Sequence, residues 1–140
     1  TVNVVANKDD VFQVYYNEDG TDIFVAEQAI TLEFKGSDKP QDLVFSFDSV
    51  LKPLALRFDI GANKEMNNVK INNFKIEYKD KVVNISGLDF NKYFVPNDQV
   101  TYDSALNTAN ITASAEYYDP IFVPNQAQKD LLAKLYTEEK

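Results

Sequence analysis

The sequence contains no cysteine, no histidine and no tryptophan, and these absences exclude several kinds of site. Without cysteine the chain forms no disulfide and offers no thiol nucleophile. Without histidine it has no imidazole base, and without both residues it cannot build a zinc-finger site. Its four glycines form no phosphate-binding loop motif. We therefore expect a domain that is not an enzyme and needs no cofactor.

Positive charge is also scarce in this chain. Fourteen Lys and Arg residues stand against 22 Asp and Glu residues, which gives a formal net charge of −8. Nucleic acid binding requires clustered cations, so we expect no nucleic acid partner. No apolar run approaches the ~18 residues of a membrane span, so we expect no membrane insertion. Because the sequence begins with Thr1 and not with Met, we expect a mature product or an excised segment.

Short segments in which apolar and polar residues alternate dominate the 140 residues. Such alternation is typical of antiparallel strands with one buried face. It predicts strands at residues 11–16, 23–25, 30–34, 43–47, 54–60, 69–78, 83–85, 100–102 and 111–117. The fold class that we predict is all-β, an antiparallel β-sandwich of jelly-roll type with one C-terminal helix.

Three local features complete this prediction. The alternation changes parity between Ile71 and Phe74, which indicates a β-bulge near residues 72–73. Residues 36–41, rich in turn-forming side chains, are predicted to form a loop. From residue 126 the apolar period becomes helical, and Asn125 can cap the helix. We thus divide the chain into a sandwich domain, residues 1–124, and an amphipathic helical tail, residues 125–140, which either packs on the sheets or begins a linker.

Arg57 and Asp59 interrupt the apolar stretch Leu56–Gly61, and they lie on the strand face opposite Leu56. Two interpretations fit. Both side chains can be solvated and form cross-strand ion pairs with neighbours such as Lys70 or Glu77, each worth at most about 1 kcal/mol. Alternatively, the guanidinium and the carboxylate bind the hydroxyl groups of a carbohydrate.

Adjacent aromatic residues are the second candidate for ligand binding. In the pairs Tyr15–Tyr16, Tyr93–Phe94 and Tyr117–Tyr118 the two rings face opposite ways if the backbone is extended, so one ring of each pair is expected at the surface. Surface rings stack on sugar faces and also anchor protein interfaces. The alternative is that these rings pack in the core or across strands.

Two oxygen-rich groups suggest other chemistry. Asn17, Asp19 and Asp22 surround Gly20 and could supply oxygen ligands to calcium, although the same residues are typical of an ordinary turn. A two-carboxylate hydrolase would need two facing acids. The candidates for that less favoured hypothesis lie in the C-terminal half: Asp89, Asp98, Asp103, Glu116 and Asp119.

The segment VFQVYYNEDGTDIFVAEQAITLEF, followed by LVFSFD, LALRFDIG and NVKINNFKIEY, resembles the jelly-roll modules of bacterial surface and polysaccharide-related proteins. Those modules are similar in architecture to carbohydrate-binding modules. The matching residues are Leu56, Arg57, Phe58 and Asp59, then Val69, Ile71 and Asn73. The resemblance implies an accessory domain outside the cytoplasm. We expect weak carbohydrate binding, or else a structural, protein-binding spacer in a larger surface or membrane-linked protein.

Overall fold

Alternating apolar residues along the strands give each of two antiparallel sheets one apolar face, and the two faces pack together. The computed structural model describes residues 1–112 and 118–137. Within these residues the chain is an all-β sandwich with one C-terminal α-helix, which confirms the predicted fold class. None of the described helices is long and apolar enough to span a membrane.

The first sheet has the strand order β4-β1-β6-β10-β9, and β7 pairs with the far end of β6. Its strands are β1 (Val2–Ala6), β4 (Ser37–Leu43), β6 (Asn68–Tyr78), β7 (Lys81–Ser86), β9 (Val100–Asp103) and β10 (Thr108–Ile111).

The second sheet has the order β3-β2-β5-β11-β8, so that β5 is its central strand. Its strands are β2 (Asp10–Asn17), β3 (Ala29–Phe34), β5 (Ala55–Asp59), β8 (Phe94–Pro96) and β11 (Ile121–Pro124). Two short 3-10 helices, Ala26–Gln28 and Phe90–Lys92, lie in the connections.

The core between the sheets is built from phenylalanine rings. Phe58 on β5 is fully buried and contacts rings from both sheets, with Phe12 at 6.1 Å and Phe74 at 5.9 Å between centroids. Phe90 stacks on Phe94 at 4.6 Å. Because aromatic pairs add about 0.5–1.5 kcal/mol beyond area burial, this cluster fixes how the sheets meet.

The predicted β-bulge is present in β6. Asn3 of β1 pairs with Asn73, but the next residue, Val4, pairs with Ile71, so Asn72 is the extra residue. The bulge lets Ile71 and Phe74, three residues apart, both point into the core. The parity change in the sequence therefore located it correctly.

Three local predictions were wrong. Residues 37–43 form β4 and not a loop; β4 is an edge strand, where Pro40 costs no ladder hydrogen bond. Residues 23–25 form no strand, and Ile23 is 73% exposed. Residues 44–47 also lie outside any strand, although Phe45 is buried. In residues 23–25 and 44–47 apolar side chains alternate, but no described strand pairs with these segments.

The C-terminal helix α1 (Gln126–Leu135) packs on the sandwich. Asn125 caps it as predicted, since its side-chain oxygen accepts a 2.9 Å hydrogen bond from the backbone N–H of Gln128. Gln128 itself is fully buried, with Leu132 and Leu135 on the same face. The helix thus packs on the sheets, which was one of the two alternatives.

Candidate binding site

Arg57 and Asp59 form one ion pair on the outer face of β5. The guanidinium donates two parallel hydrogen bonds, from Nε to Oδ1 and from Nη2 to Oδ2 of Asp59, each 2.7 Å long. This bidentate geometry is the strong form of an arginine–carboxylate contact. The guanidinium also lies 4.3 Å from the ring centroid of Tyr15, which is opposite Arg57 on β2.

The predictions that this pair contacts Lys70 or Glu77 and that it is exposed to solvent were both wrong. Lys70 and Glu77 belong to β6 in the other sheet, so neither contacts Arg57 or Asp59 across a strand. Asp59 is only 6% exposed, because β2 and β11 flank it on both sides. The pair faces outward, as expected, but Asp59 is buried and the side chain of Arg57 is only partly exposed.

Burial and the ion pair have opposite effects on the pKa of Asp59. Burial raises the pKa of the Asp59 carboxyl, and the hydrogen bonds from Arg57 only partly offset this. The hydrogen bonds to Asp59 raise the pKa of the Arg57 guanidinium. The negative charge of Asp119 acts on both residues, which places a second acid beside the pair. The hydrogen bonds and the charge of Arg57 therefore favour the charged form of the Asp59 carboxyl, against the effect of burial on its pKa.

We expect Arg57→Ala to destabilise the fold more than Asp59→Ala, by roughly 2 against roughly 1 kcal/mol. The first change leaves a buried carboxylate without its cation, whereas the second leaves Arg57, whose side chain is 21% exposed, within reach of water. Urea unfolding at neutral pH measures both values. An equal loss in the two variants would contradict this account.

The difference in unfolding free energy between the parent chain and Arg57→Ala should also depend on pH. A carboxyl with a raised folded-state pKa contributes stability below its unfolded-state pKa and loses that contribution as pH rises through the folded value. Without Arg57 the pKa of Asp59 rises further. The loss of unfolding free energy in Arg57→Ala, relative to the parent chain, should therefore shrink as the pH falls from 7 towards 4.

The predicted aromatic residues do not come together at the surface. Phe94 points into the core from β8, where it is fully buried and its ring stacks on Phe90. The predicted contact of Phe94 with a ligand therefore does not fit its position. Tyr93 is half-buried and packs against the core. Tyr117 lies outside the described residues. Tyr118 is half-buried, and its hydroxyl is buried without a hydrogen-bond partner among the described residues.

Tyr118 lies close to a carboxylate that the sequence did not single out. Burial, and then the negative charge of Asp10, raise the pKa of the Tyr118 phenol to about 12. Oδ1 of Asp10 accepts hydrogen bonds from the backbone N–H groups of Val11, Ala62 and Asn63, at 2.8, 2.6 and 3.1 Å. Asp10 therefore organises the loop that follows β5.

The oxygen-rich turn is held by its own hydrogen bonds. Asn17 is buried, accepts a bond from the Gly20 N–H and donates to the carbonyls of Thr21 and Ile23. Asp22 pairs with Lys129 of α1 at 2.7 Å. Within the described part of the chain, no three acidic side chains are grouped so that they could hold a metal ion.

The candidate acids of a hydrolase are also spread over separate places. Asp89 forms an ion pair with Lys92 on the surface. Asp103 accepts bonds from the N–H groups of its own turn. Asp119 lies beside another acid, Asp59, and Glu116 is outside the described residues.

An apolar groove at one end of the sandwich was not predicted. It lies between residues 44–48 and the end of β6, Lys75–Lys79, with α1 as a third wall, and has a volume of about 470 Å³. We call it the end groove. Its apolar lining is Val14, Phe45, Phe47, Leu56, Phe74, Ile76, Leu132 and Tyr136. A hint in the sequence was the run of alternating apolar residues at 43–47, of which residues 44–47 belong to no described strand.

Comparisons of this chain with protein-family models, with curated proteins and with solved structures give no match.

Proposed function

We propose that this chain is a non-catalytic accessory domain that binds carbohydrate weakly through the outer face of its five-stranded sheet. The observation that supports this proposal is the bidentate Arg57–Asp59 pair beside the ring of Tyr15. Sugar recognition needs charged groups held in place to bond hydroxyls, next to an aromatic ring. The resemblance to modules of polysaccharide-related proteins supports the same proposal, and with it a location outside the cytoplasm at a bacterial surface.

The arrangement of these groups favours weak binding. The ion pair already uses both carboxylate oxygens of Asp59 and two of the three guanidinium nitrogens of Arg57. What remains for a ligand is Nη1 of Arg57, the second lone pairs of the carboxylate and the free edge of Tyr15. Neighbouring polar groups at Gln13 and Thr31, joined by a 3.0 Å hydrogen bond, extend the polar face across the sheet.

Titration with a panel of soluble bacterial polysaccharides tests this function. We expect Arg57→Lys, which keeps the charge but loses the bidentate geometry, to reduce affinity at least fivefold. Lys75→Ala is the matched control, because Lys75 and Glu77 form an exposed pair of the same i, i+2 spacing on the other sheet, 3.2 Å apart. If no polysaccharide binds, or if both variants weaken binding equally, carbohydrate binding at Arg57 is wrong.

The end groove favours a second candidate function, that of a structural, protein-binding domain in a larger surface protein. Exposed apolar side chains surround this end of the sandwich: Val44 is 57% exposed and Val50 is 78% exposed. An apolar groove with an apolar rim is typical of a protein contact. This candidate requires neither a sugar nor the Arg57–Asp59 pair, so the two functions can be tested separately.

A further inference from the structure

Backbone hydrogen bonds in the five-stranded sheet alternate in direction from one residue to the next. The N–H and C=O of Leu56 both bond to the side chain of Gln128, on the side of β5 that faces away from β2. The N–H and C=O of Arg57 must then point towards Tyr15, its partner on β2. In turn, the backbone groups of Tyr15 point towards β5, and those of its neighbour Val14 point towards β3.

Strand β3 presents free backbone groups at one edge of this sheet. Ile30 of β3 lies opposite Val14, so its N–H and C=O point towards β2. By the same alternation, the N–H and C=O groups of Ala29, Thr31 and Glu33 point away from the sheet. Because β3 is the last strand in the order, no strand of the described chain pairs with these groups.

This edge lacks the features that commonly keep an edge strand from pairing. Proteins protect such edges with lysine, with proline or with a bulge. The edge strand β4 of the other sheet carries both Lys39 and Pro40. The sequence of β3, AITLEF, contains neither residue type, and its register against β2 is regular over six pairs. A further strand can therefore add to β3.

The side chains of β3 are complementary to a second copy of β3. In an antiparallel pair centred on Thr31, Ala29 lies opposite Glu33, so the two glutamates do not face each other. Ile30 lies opposite Leu32, and both are only partly buried at the side of the core. Each would be covered by an apolar side chain of the other copy. In this register the outward-pointing residues face one another, so that each such pair exchanges two hydrogen bonds.

We propose that two copies of this chain associate through β3 and join their five-stranded sheets into one continuous sheet. The contact is isologous, since each copy contributes the same strand. The formal charge of −8 on each copy opposes association, so we expect a weak dimer. This dimer goes beyond the functions proposed above and forms without carbohydrate.

The dimer would have a consequence for the proposed carbohydrate site. The two-fold axis of an antiparallel pair is perpendicular to the sheet, so the outer faces of both copies lie on the same side. Five strand spacings of about 4.8 Å separate the two β5 strands, which places the two Arg57 residues roughly 24 Å apart. If the proposed function holds, one long polysaccharide can contact both sites.

Analytical ultracentrifugation of the intact chain, from micromolar to millimolar concentration, tests the proposal. Ala29→Lys places a cation opposite Glu33 of the other copy, whereas Ala29→Glu places a second anion there. We expect the lysine variant to dimerise at least tenfold more tightly than the glutamate variant. Val82→Lys and Val82→Glu are the matched controls, because they make the same changes of charge at an exposed position of β7, in the other sheet. We expect less than a threefold difference between those two.

Amide hydrogen exchange of the parent chain locates the contact. The Thr31 and Glu33 amides should exchange at least tenfold more slowly in concentrated than in dilute samples. A dimer without this protection, or with equal association of the two Ala29 variants, uses another surface and overturns the proposal.

A chain that stays monomeric at millimolar concentration also overturns the proposal. Slow exchange at Thr31 would then mean that β3 is covered within its own chain, and fast exchange would leave the edge to a different protein. Because these samples contain no carbohydrate, failure of the dimer and failure of carbohydrate binding are separate results.

Discussion

Replacing Gln128 by leucine should destabilise the fold by about 3 kcal/mol or more, although leucine is apolar and has similar volume. Gln128 is fully buried. Its amide oxygen accepts a 2.8 Å hydrogen bond from the Leu56 N–H, and its amide nitrogen donates to the carbonyls of Leu56 and Tyr93, at 3.0 and 3.1 Å.

The cost is large because the side chain substitutes for a missing strand. Leu56 of β5 pairs with Tyr16 of β2 on one side, whereas β11 pairs with β5 only at Phe58 and Asp59. Gln128 therefore bonds the backbone of Leu56 where no strand reaches it. Leucine would leave the N–H and the C=O of Leu56 buried without partners, each costing about 1–3 kcal/mol, and would also remove the bond to the part-buried carbonyl of Tyr93.

Urea or thermal unfolding measures this effect, with Gln126→Leu as the matched control. Gln126 lies in the same helix but is exposed, so we expect that variant to stay within about 0.5 kcal/mol of the parent. If Gln128→Leu is as stable as Gln126→Leu, the buried amide does not hold α1 on the sandwich.

The second large effect is expected at Gly61, where alanine should cost about 3 kcal/mol. Gly61 has a φ of +101°, a conformation that residues with a Cβ rarely adopt. An added Cβ would also overlap the carboxylate of Asp10. Displacing that carboxylate breaks its hydrogen bonds to the N–H groups of Ala62 and Asn63.

Gly20→Ala separates the two causes. Gly20 also has a positive φ, +72°, but the nearest atom to an added Cβ is Cβ of Leu54 at 3.8 Å, which is ordinary contact. We expect about 1 kcal/mol there, from backbone strain alone. Thermal unfolding that shows equal losses in the two variants would mean that the contact with Asp10 contributes nothing.

Alternating apolar residues predicted β2, β3, β5, β6, β7 and β9, whereas β1, β8 and β11 were not predicted. The parity change at Asn72 located a bulge, and the alternation around Phe58 located the central strand, since burial on one face leaves a periodic trace in the sequence. Ser37–Leu43 was missed as a strand because it is an edge strand with few apolar residues. Its assignment depends on β1, which no local pattern identifies as its partner.

The candidate sites were harder to predict because they depend on the order of the strands. The sequence identified Arg57 and Asp59 and the aromatic pair Tyr15–Tyr16, but it did not place Tyr15 beside Arg57. That contact exists only because β2 pairs with β5. Gln128 has an ordinary place in a helical pattern, and its burial follows from how α1 docks. The end groove lies between residues 44–48, the end of β6 and α1, so no single segment of the sequence contains it.

The central proposal is that this chain binds carbohydrate through the outer face of its five-stranded sheet. An isotope-labelled sample, titrated by NMR with a bacterial polysaccharide selected from the panel, tests it most directly. We predict that the polysaccharide shifts signals around Tyr15, Arg57 and Asp59. A saturating amount of polysaccharide that leaves these signals unchanged would contradict the account.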